Sequence, residues 1–325
     1  MHSLSVIIPV YNTAEYLPAC LDSLLVQNIF EGEIICIDDG STDTSPQILQ
    51  TYAEHYPCIR IITQTNQRQG AARNAGIKAA KYDYILMVDS DDMVVAGAID
   101  RVLNKITDED VLYFTTCQYS QSKGTISDFP HRNEALRING REYFEKIVDL
   151  NDYSNISPVA FYRRQFLQEN SILFIPGVYH EDHAWIAHLL CHAGSVSSLD
   201  EPLYIYRLRE GSTMHSISIA HCRDRMTVAA NIINYCQSHH WFPHKMRQFV
   251  WHFDYWDAIE HGVAHEFHRK DYFHIADWWR MYRCCTSRRE RRITVMALSS
   301  LNAAVQYKNY QTPHILRKIF NAIVH

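Results

Sequence analysis

The strongest constraint on the fold is an alternation, in the first part of the chain, between short apolar runs and segments with helical spacing. Leu4–Val10 (LSVIIPV) reads as a strand buried on both faces, because a strand with one wet face would alternate polar and apolar residues. Leu17, Leu21, Leu24 and Leu25 follow with the spacing of a helix. EIICIDDGS is a second buried strand, and SPQILQTYAEHY a second helix with Ser45 as its N-cap and Pro46 at its first position. IRIITQ is a third strand, QGAARNAGIKAA a loop entering a helix, and YDYILMVDSDD a fourth strand. The order β-α-β-α-β-α-β predicts an α/β fold: a mainly parallel, Rossmann-like sheet with helices on both faces. Such sheets bind ligands in the crevice beyond the carboxyl ends of their strands.

The polar clusters fall at those ends. Tyr11-Asn12, Asp38-Asp39-Gly40-Ser41 and Asp89-Ser90-Asp91-Asp92 each follow a strand directly, so all three gather on one rim. Three carboxylates within four residues repel one another and resist burial unless something positive joins them. A hard divalent cation such as Mg²⁺ or Mn²⁺, shared with substrate phosphates, would do so. A helix start is the other reading, since Asp caps helices and DSDDMVVAGAIDRVL resembles a capped one. A calcium loop of EF-hand type is excluded, with Val94 where Gly is needed and Asp100 where Glu is needed. In IDDGSTD, Gly40 permits a tight turn and Ser41, Thr42 or Asp43 can cap the next helix, which leaves Asp38 and Asp39 for a ligand's N–H or hydroxyl groups. GAARNAG allows close backbone approach and supplies Arg73 for phosphate or base. Neither the P-loop nor the dinucleotide glycine pattern occurs.

Further along, DVLYFTTCQY and SLDEPLYIYRL read as strands, and Arg141–Leu150, Arg163–Glu169 and Glu181–His192 as helices. From Ile219 onward the periodicity is helical, so we expect a catalytic α/β domain over residues 1–215 and an α-helical region over 216–325. The net charge of −5 argues against a nucleic-acid partner. From Arg269 onward eleven Lys/Arg face three Asp/Glu, so this tail is about +8 and the rest about −13. Nine cysteines without metal spacing, and no secretory leader, lead us to expect reduced thiols and a cytoplasmic protein. The apolar segment Ile293–Val305 is too short to span a bilayer.

SVIIPVYN, IDDGSTD, GAARNAG, MVDSDD and a later HED together resemble the family-2 glycosyltransferases of the GT-A fold, over roughly residues 3–215. The resemblance implies inverting transfer of a sugar from a nucleotide diphosphate donor, aided by Mn²⁺ or Mg²⁺. By the same resemblance Pro9, Val10 and Tyr11 line the base pocket, and Asp39 binds the base, typically uracil, which implies a UDP-sugar. Arg73 then lies beside the nucleotide, Asp89 and Ser90 belong to the D-x-D motif with Asp89 near ribose, and Asp91 is the principal metal ligand. Asp182 matches the family's general base and Glu181 an acceptor-positioning or auxiliary group; a solvent-facing helix cap is the alternative. YRLREGSTM resembles the segment that closes over the diphosphate, so Arg207 and Arg209, with Ser212 or Thr213, would neutralise the leaving group, and His215 would add a metal ligand.

The implied acceptor is a glycan or lipid-linked sugar in polysaccharide assembly. No Q-x-x-R-W motif of polymerising synthases occurs. A silent nucleotide-sugar binding protein is the alternative function. A nucleotidyltransferase would carry a glycine-rich basic loop where YNTAEY stands, and an Asp-based phosphatase a Thr or Val where Met93 stands. His261 and His265, one turn apart, have a spacing that can bind zinc but lack H-E-x-x-H order; interfacial or core roles are the favoured reading. The last segment, TPHILRKIFNAIVH, is amphipathic. Docking on its own domain or on a homodimer partner ranks ahead of peripheral contact with the inner face of the plasma membrane through the basic tail.

Overall fold

The computed structural model describes residues 3–27, 32–120, 125–128, 137–149, 160–208, 217–301 and 304–305. The chain divides into two compact units, Met1–Ser216 and Ile217–His325.

The first unit is built on one nine-stranded sheet. Strands β1 (Leu4–Val10), β2 (Gly32–Asp38), β3 (Ile59–Thr63) and β4 (Tyr84–Met87) pair in parallel in the order β3-β2-β1-β4. Their crossovers are α1 (Leu17–Leu25), α2 (Ser45–His55) and α3 (Arg68–Ala79). Side chains alternate across this sheet. Val6, Ile8, Val10, Cys36 and Leu86 share one buried cluster with Leu21 of α1 and Leu49 of α2. Ile7 and Ile37 instead face α3, which comes so close at Gly76 that a Cβ there would sit 2.3 Å from Ile7 Cγ2. Glycine at this position is therefore a packing requirement.

The remaining elements are β5 (Met93–Val94), α4 (Ala98–Leu103), β6 (Val111–Ser120), β7 (Thr125–Asp128), α5 (Gly140–Asp149), β8 (Ala160–Arg163), α6 (Arg164–Glu169), α7 (Glu181–His192) and β9 (Val196–Leu208). They extend the sheet as β8-β6-β9-β5, with β8 antiparallel to β4 and β6, and β9 parallel to β6. The architecture is the expected one, with an antiparallel insertion that the first four strands did not announce.

Three local readings are corrected. QGAARNAG is not a loop, because α3 already begins at Arg68. Ser45 is the first helical residue of α2 and not its N-cap; its amide is instead held by Asp43 Oδ1 at 2.9 Å. The Asp89–Asp92 run does not cap a helix: the chain turns, with Asp92 N donating to Asp89 O at 3.0 Å, then enters β5, and α4 starts only after Gly97 at φ 69°.

The second unit is helical: α8 (Ile219–Ser238), α9 (His244–Phe249), a π-helical stretch (Val250–Trp256), α10 (Asp257–Ala264), α11 (Ile275–Cys284) and α12 (Arg288–Ser299). Two buried indoles are tethered to one residue, Trp251 Nε1 to Thr294 Oγ1 at 3.1 Å and Trp278 Nε1 to Thr294 O at 2.7 Å. His261 and His265 each turn Nδ1 back to the carbonyl one turn earlier, at 2.9 and 3.0 Å, as ordinary helical histidines do. The terminal amphipathic segment lies outside the described residues. Among those described, no helix is long and apolar enough to cross a membrane.

Candidate functional site

The rim at the carboxyl ends of β1, β2 and β4 is knit by side chains that cross between strands. Asn12, in a left-handed conformation at φ 51°, accepts with Oδ1 from Thr42 N at 2.7 Å and from Asp43 N at 3.3 Å. Thr13 Oγ1 donates to Ser90 Oγ at 2.9 Å, and Thr13 N to Ser45 Oγ at 3.1 Å. These bonds lock the loops after β1, β2 and β4 to one another. Pro9 and Val10 end β1 on this rim, and Tyr11 projects beyond them, 48% exposed.

Asp39 is almost fully buried, and its Oδ1 accepts from Gln64 Nε2 at 2.7 Å and Gln67 N at 3.0 Å. Oδ2 takes no such bond among the described residues. Gly40, at φ 75°, lets the chain turn against Asn66 N and Gln64 O, 3.1 and 3.3 Å from where a Cβ would stand.

In the D-x-D turn the three carboxylates have different surroundings. Asp89 Oδ1 accepts from Gln69 Nε2 at 2.7 Å and Arg73 Nη2 at 2.8 Å. Asp92 is buried; its Oδ2 accepts from Tyr204 Oη at 2.7 Å and its Oδ1 from Arg207 N at 2.8 Å. Burial above all, then the repulsion of Asp89 and Asp91, raises the Asp92 carboxyl to about 8. Tyr204 also receives Asp89 N at 3.0 Å, so one hydroxyl joins both ends of the turn to β9. Asp91 is partly exposed. No group of three or more His, Cys, Asp or Glu side chains among the described residues is arranged to hold a metal by itself.

Two arginines mark this rim, and their charges are balanced differently. Arg73, expected beside the nucleotide, is 3% exposed, with Nη2 on Asp89 and Nη1 on Glu181 Oε1 at 2.9 Å. Arg207 lies with Nε on Asp91 O at 2.9 Å, with the rings of Tyr16 and Tyr119 at 5.4 and 5.5 Å from its guanidinium carbon. Among the described residues no carboxylate pairs with it.

Glu181 and Asp182 open α7, after His180 in a left-handed conformation at φ 61°. Glu181 is buried and Asp182 partly exposed, with Asp182 Oδ1 receiving His183 N at 3.1 Å. The partners of the Arg73–Glu181 bridge respond differently. The two carboxylates hold Arg73 firmly charged, against its burial. Burial raises the Glu181 carboxyl to about 7, Arg73 opposing and Asp182 and Asp89 adding repulsion. Burial wins for the acid because one cation serves two carboxylates. Tyr204, Gln64, Gln67 and Gln69 carry no local signal in the sequence, whereas Asp92 is visible there only as part of the acidic run. Arg209 and His215, with Ser212 and Thr213, lie outside the described residues.

Comparison with known proteins defines first the class of fold and then the family. The crystal structure of S. aureus TarS 1–349 in complex with UDP-GlcNAc superposes with a TM-score of 0.71 over 95% of this chain and 89% of that one, at 22% identity, and the fold is GT-A. The glycosyl transferase family 2 pattern matches residues 5–170, and the chain belongs to that family. Among its relatives, the uncharacterized glycosyltransferase YibD of Escherichia coli K12 is 31% identical over 219 residues, 65% of this chain and 63% of YibD. The chain thus spans less than two-thirds of that relative's length. The glycosyltransferase GlyG of Streptococcus pneumoniae serotype 4 is 31% identical over 244 residues, 72% of this chain and 80% of GlyG.

Proposed function

We propose that this protein transfers a hexosyl or N-acetylhexosaminyl group, with inversion, from a UDP-linked donor to a hydroxyl of a glycan or lipid-linked acceptor. The observation that carries the reading is the charge balance on the rim: Arg207 lies over the rings of Tyr16 and Tyr119 with no carboxylate partner among the described residues, next to the partly exposed Asp91. A preorganised cation of this kind is suited to charge that appears on a departing diphosphate. Family membership and the UDP-GlcNAc held by TarS support the donor class.

Asp39 Oδ2 would accept from the N–H of the base, with Oδ1 already fixed by Gln64 and Gln67. Tyr11, exposed on the same rim, offers a face for that base. Asp91, helped by Asp89, would hold Mg²⁺ or Mn²⁺, which when bound neutralises diphosphate charge. Asp182 takes the proton from the acceptor hydroxyl as its oxygen attacks the anomeric carbon from the face opposite the diphosphate. The C–O bond to the leaving phosphate breaks as the new glycosidic bond forms, and Arg207 meets the charge left on UDP.

Contact with an anionic membrane is a subsidiary part of this reading, and α11 and α12 support it. Asp277 and Glu290, the acids of these helices, are both turned inward into capping boxes. Their exposed positions carry Ile275, Trp279, Arg288, Arg289, Arg291, Arg292 and Val295. Such a surface matches anionic headgroups with apolar anchors.

The donor class is tested by thermal unfolding with UDP, GDP, CDP or dTDP, each with and without Mn²⁺. UDP alone among the four should raise the melting temperature, more with Mn²⁺, and Asp91→Asn should remove the metal-dependent part. Stabilisation by none of them, or a shift indifferent to Asp91, contradicts the assignment.

A further inference from the structure

The placement of Arg73 is over-determined by packing. Gly70, one turn earlier in α3, lets the helix press against the segment leading into α7; a Cβ there would stand 2.9 Å from Ile175 O and 3.0 Å from Glu181 Cγ. Asn74, one residue on, clamps that segment through both amide atoms, donating to Phe174 O at 2.9 Å and accepting from Phe174 N at 2.8 Å. The Phe174 ring lies 5.3 Å from the Arg73 guanidinium carbon and stacks at 4.0 Å on Trp185 of α7. Arg73 is thus seated on a Phe174 ring that is stacked on α7 through Trp185, while its fork spans from Asp89 to Glu181. Its Nε is buried with no hydrogen-bond partner, so the fork is kept at the expense of one donor.

We infer that Arg73 is a positioning residue that fixes the distance between the donor-binding turn and the first turn of α7, and that Glu181 is the far anchor of this bridge and not a contact of the acceptor. The inference rests on the glycosyl-transfer reading and deepens it. Asp89 and Glu181 are 92 positions apart in sequence, yet they accept from the two terminal nitrogens of one planar group. A guanidinium can hold that geometry and an ammonium cannot, because Lys offers a point charge without a fork. Asp182 follows Glu181 directly, so an anchored Glu181 places the base relative to the donor. Reaction rates respond steeply to such placement.

The test is a double-mutant cycle on kcat/KM for donor turnover, using Arg73→Met, Glu181→Leu and the double variant, which remove the two ends of the Arg73–Glu181 bond. UDP-binding stoichiometry normalises each for folded protein. If Arg73 and Glu181 act through one bridge, the double variant falls within about threefold of the worse single variant. Losses that multiply mean separate tasks on donor and acceptor, and overturn the inference while leaving the function intact. Arg73→Lys gives a second reading: kcat should drop about tenfold or more while UDP affinity stays within about threefold. An unchanged kcat also overturns it. A wild-type protein that neither binds UDP nor turns over any sugar nucleotide removes the functional reading and this role together.

Discussion

Replacing Glu181 by Gln should alter how stability depends on pH, and the structure gives the sign and the size. The Glu181 carboxyl is raised to about 7 from a model-peptide value of 4.5, because burial outweighs the nearby Arg73 and because Asp182 and Asp89 are repulsive. A raised carboxyl favours the folded state while it is protonated. That stability is fully present below the unfolded value and is lost as pH rises through about 7. A shift of this size, at about 1.4 kcal/mol per pH unit, gives roughly 3 kcal/mol in total, most of it between about pH 5 and about pH 8. Gln keeps the shape and the acceptor oxygen for Arg73 but does not titrate. Urea unfolding of both proteins across that window measures the difference directly. The wild type should lose about 1–3 kcal/mol relative to Glu181→Gln as pH rises. A constant difference, or wild type gaining with pH, would mean that the ion pair with Arg73 dominates and would refute the reasoning.

Other substitutions probe the packing and the charge. Gly76→Ala should cost about 1–3 kcal/mol in urea unfolding, since its Cβ would stand 2.3 Å from Ile7 Cγ2 and α3 must move off the sheet. Tyr204→Phe removes the hydroxyl that serves both Asp92 and Asp89 N; a loss of about 1–3 kcal/mol in stability is expected, with weaker UDP binding by titration calorimetry. Arg207→Gln should lower kcat about a hundredfold, with a much smaller change in donor KM, as befits a group matched to the leaving diphosphate. Sedimentation with vesicles containing anionic lipid should pull down the wild type in low salt, and Trp279→Ser combined with Arg291→Glu should weaken this while leaving donor turnover intact.

The parallel half of the fold is legible because its strands are buried on both faces, which leaves uninterrupted apolar runs such as Val6–Ile8 and Ile34–Ile37. The inserted strands were harder. β8 is only Ala160–Arg163, and its antiparallel place between β4 and β6 follows from pairings distant in sequence. The acidic turn was ambiguous for a local reason: Asp serves equally as helix cap and as rim ligand, and only the entry into β5 separates the two. Arg73 shows the limit most clearly. Its helix and its rim neighbour are local, but its burial is made by Phe174 and Glu181, about a hundred residues away, and nothing near Arg73 announces them. Tyr204 was missed likewise, as an ordinary strand residue whose hydroxyl finds Asp92 only in the fold.

The central claim is that Asp182 drives transfer from a nucleotide-sugar bound on this rim. The direct measurement is release of nucleoside diphosphate from a panel of sugar nucleotides with Mn²⁺ and a mixed glycan acceptor, for wild type and Asp182→Asn. Wild type should consume a UDP-sugar, and Asp182→Asn should bind the same donor with similar affinity but lose turnover by at least about a hundredfold. Turnover by Asp182→Asn near the wild-type rate, or donor binding lost together with turnover, would contradict that claim.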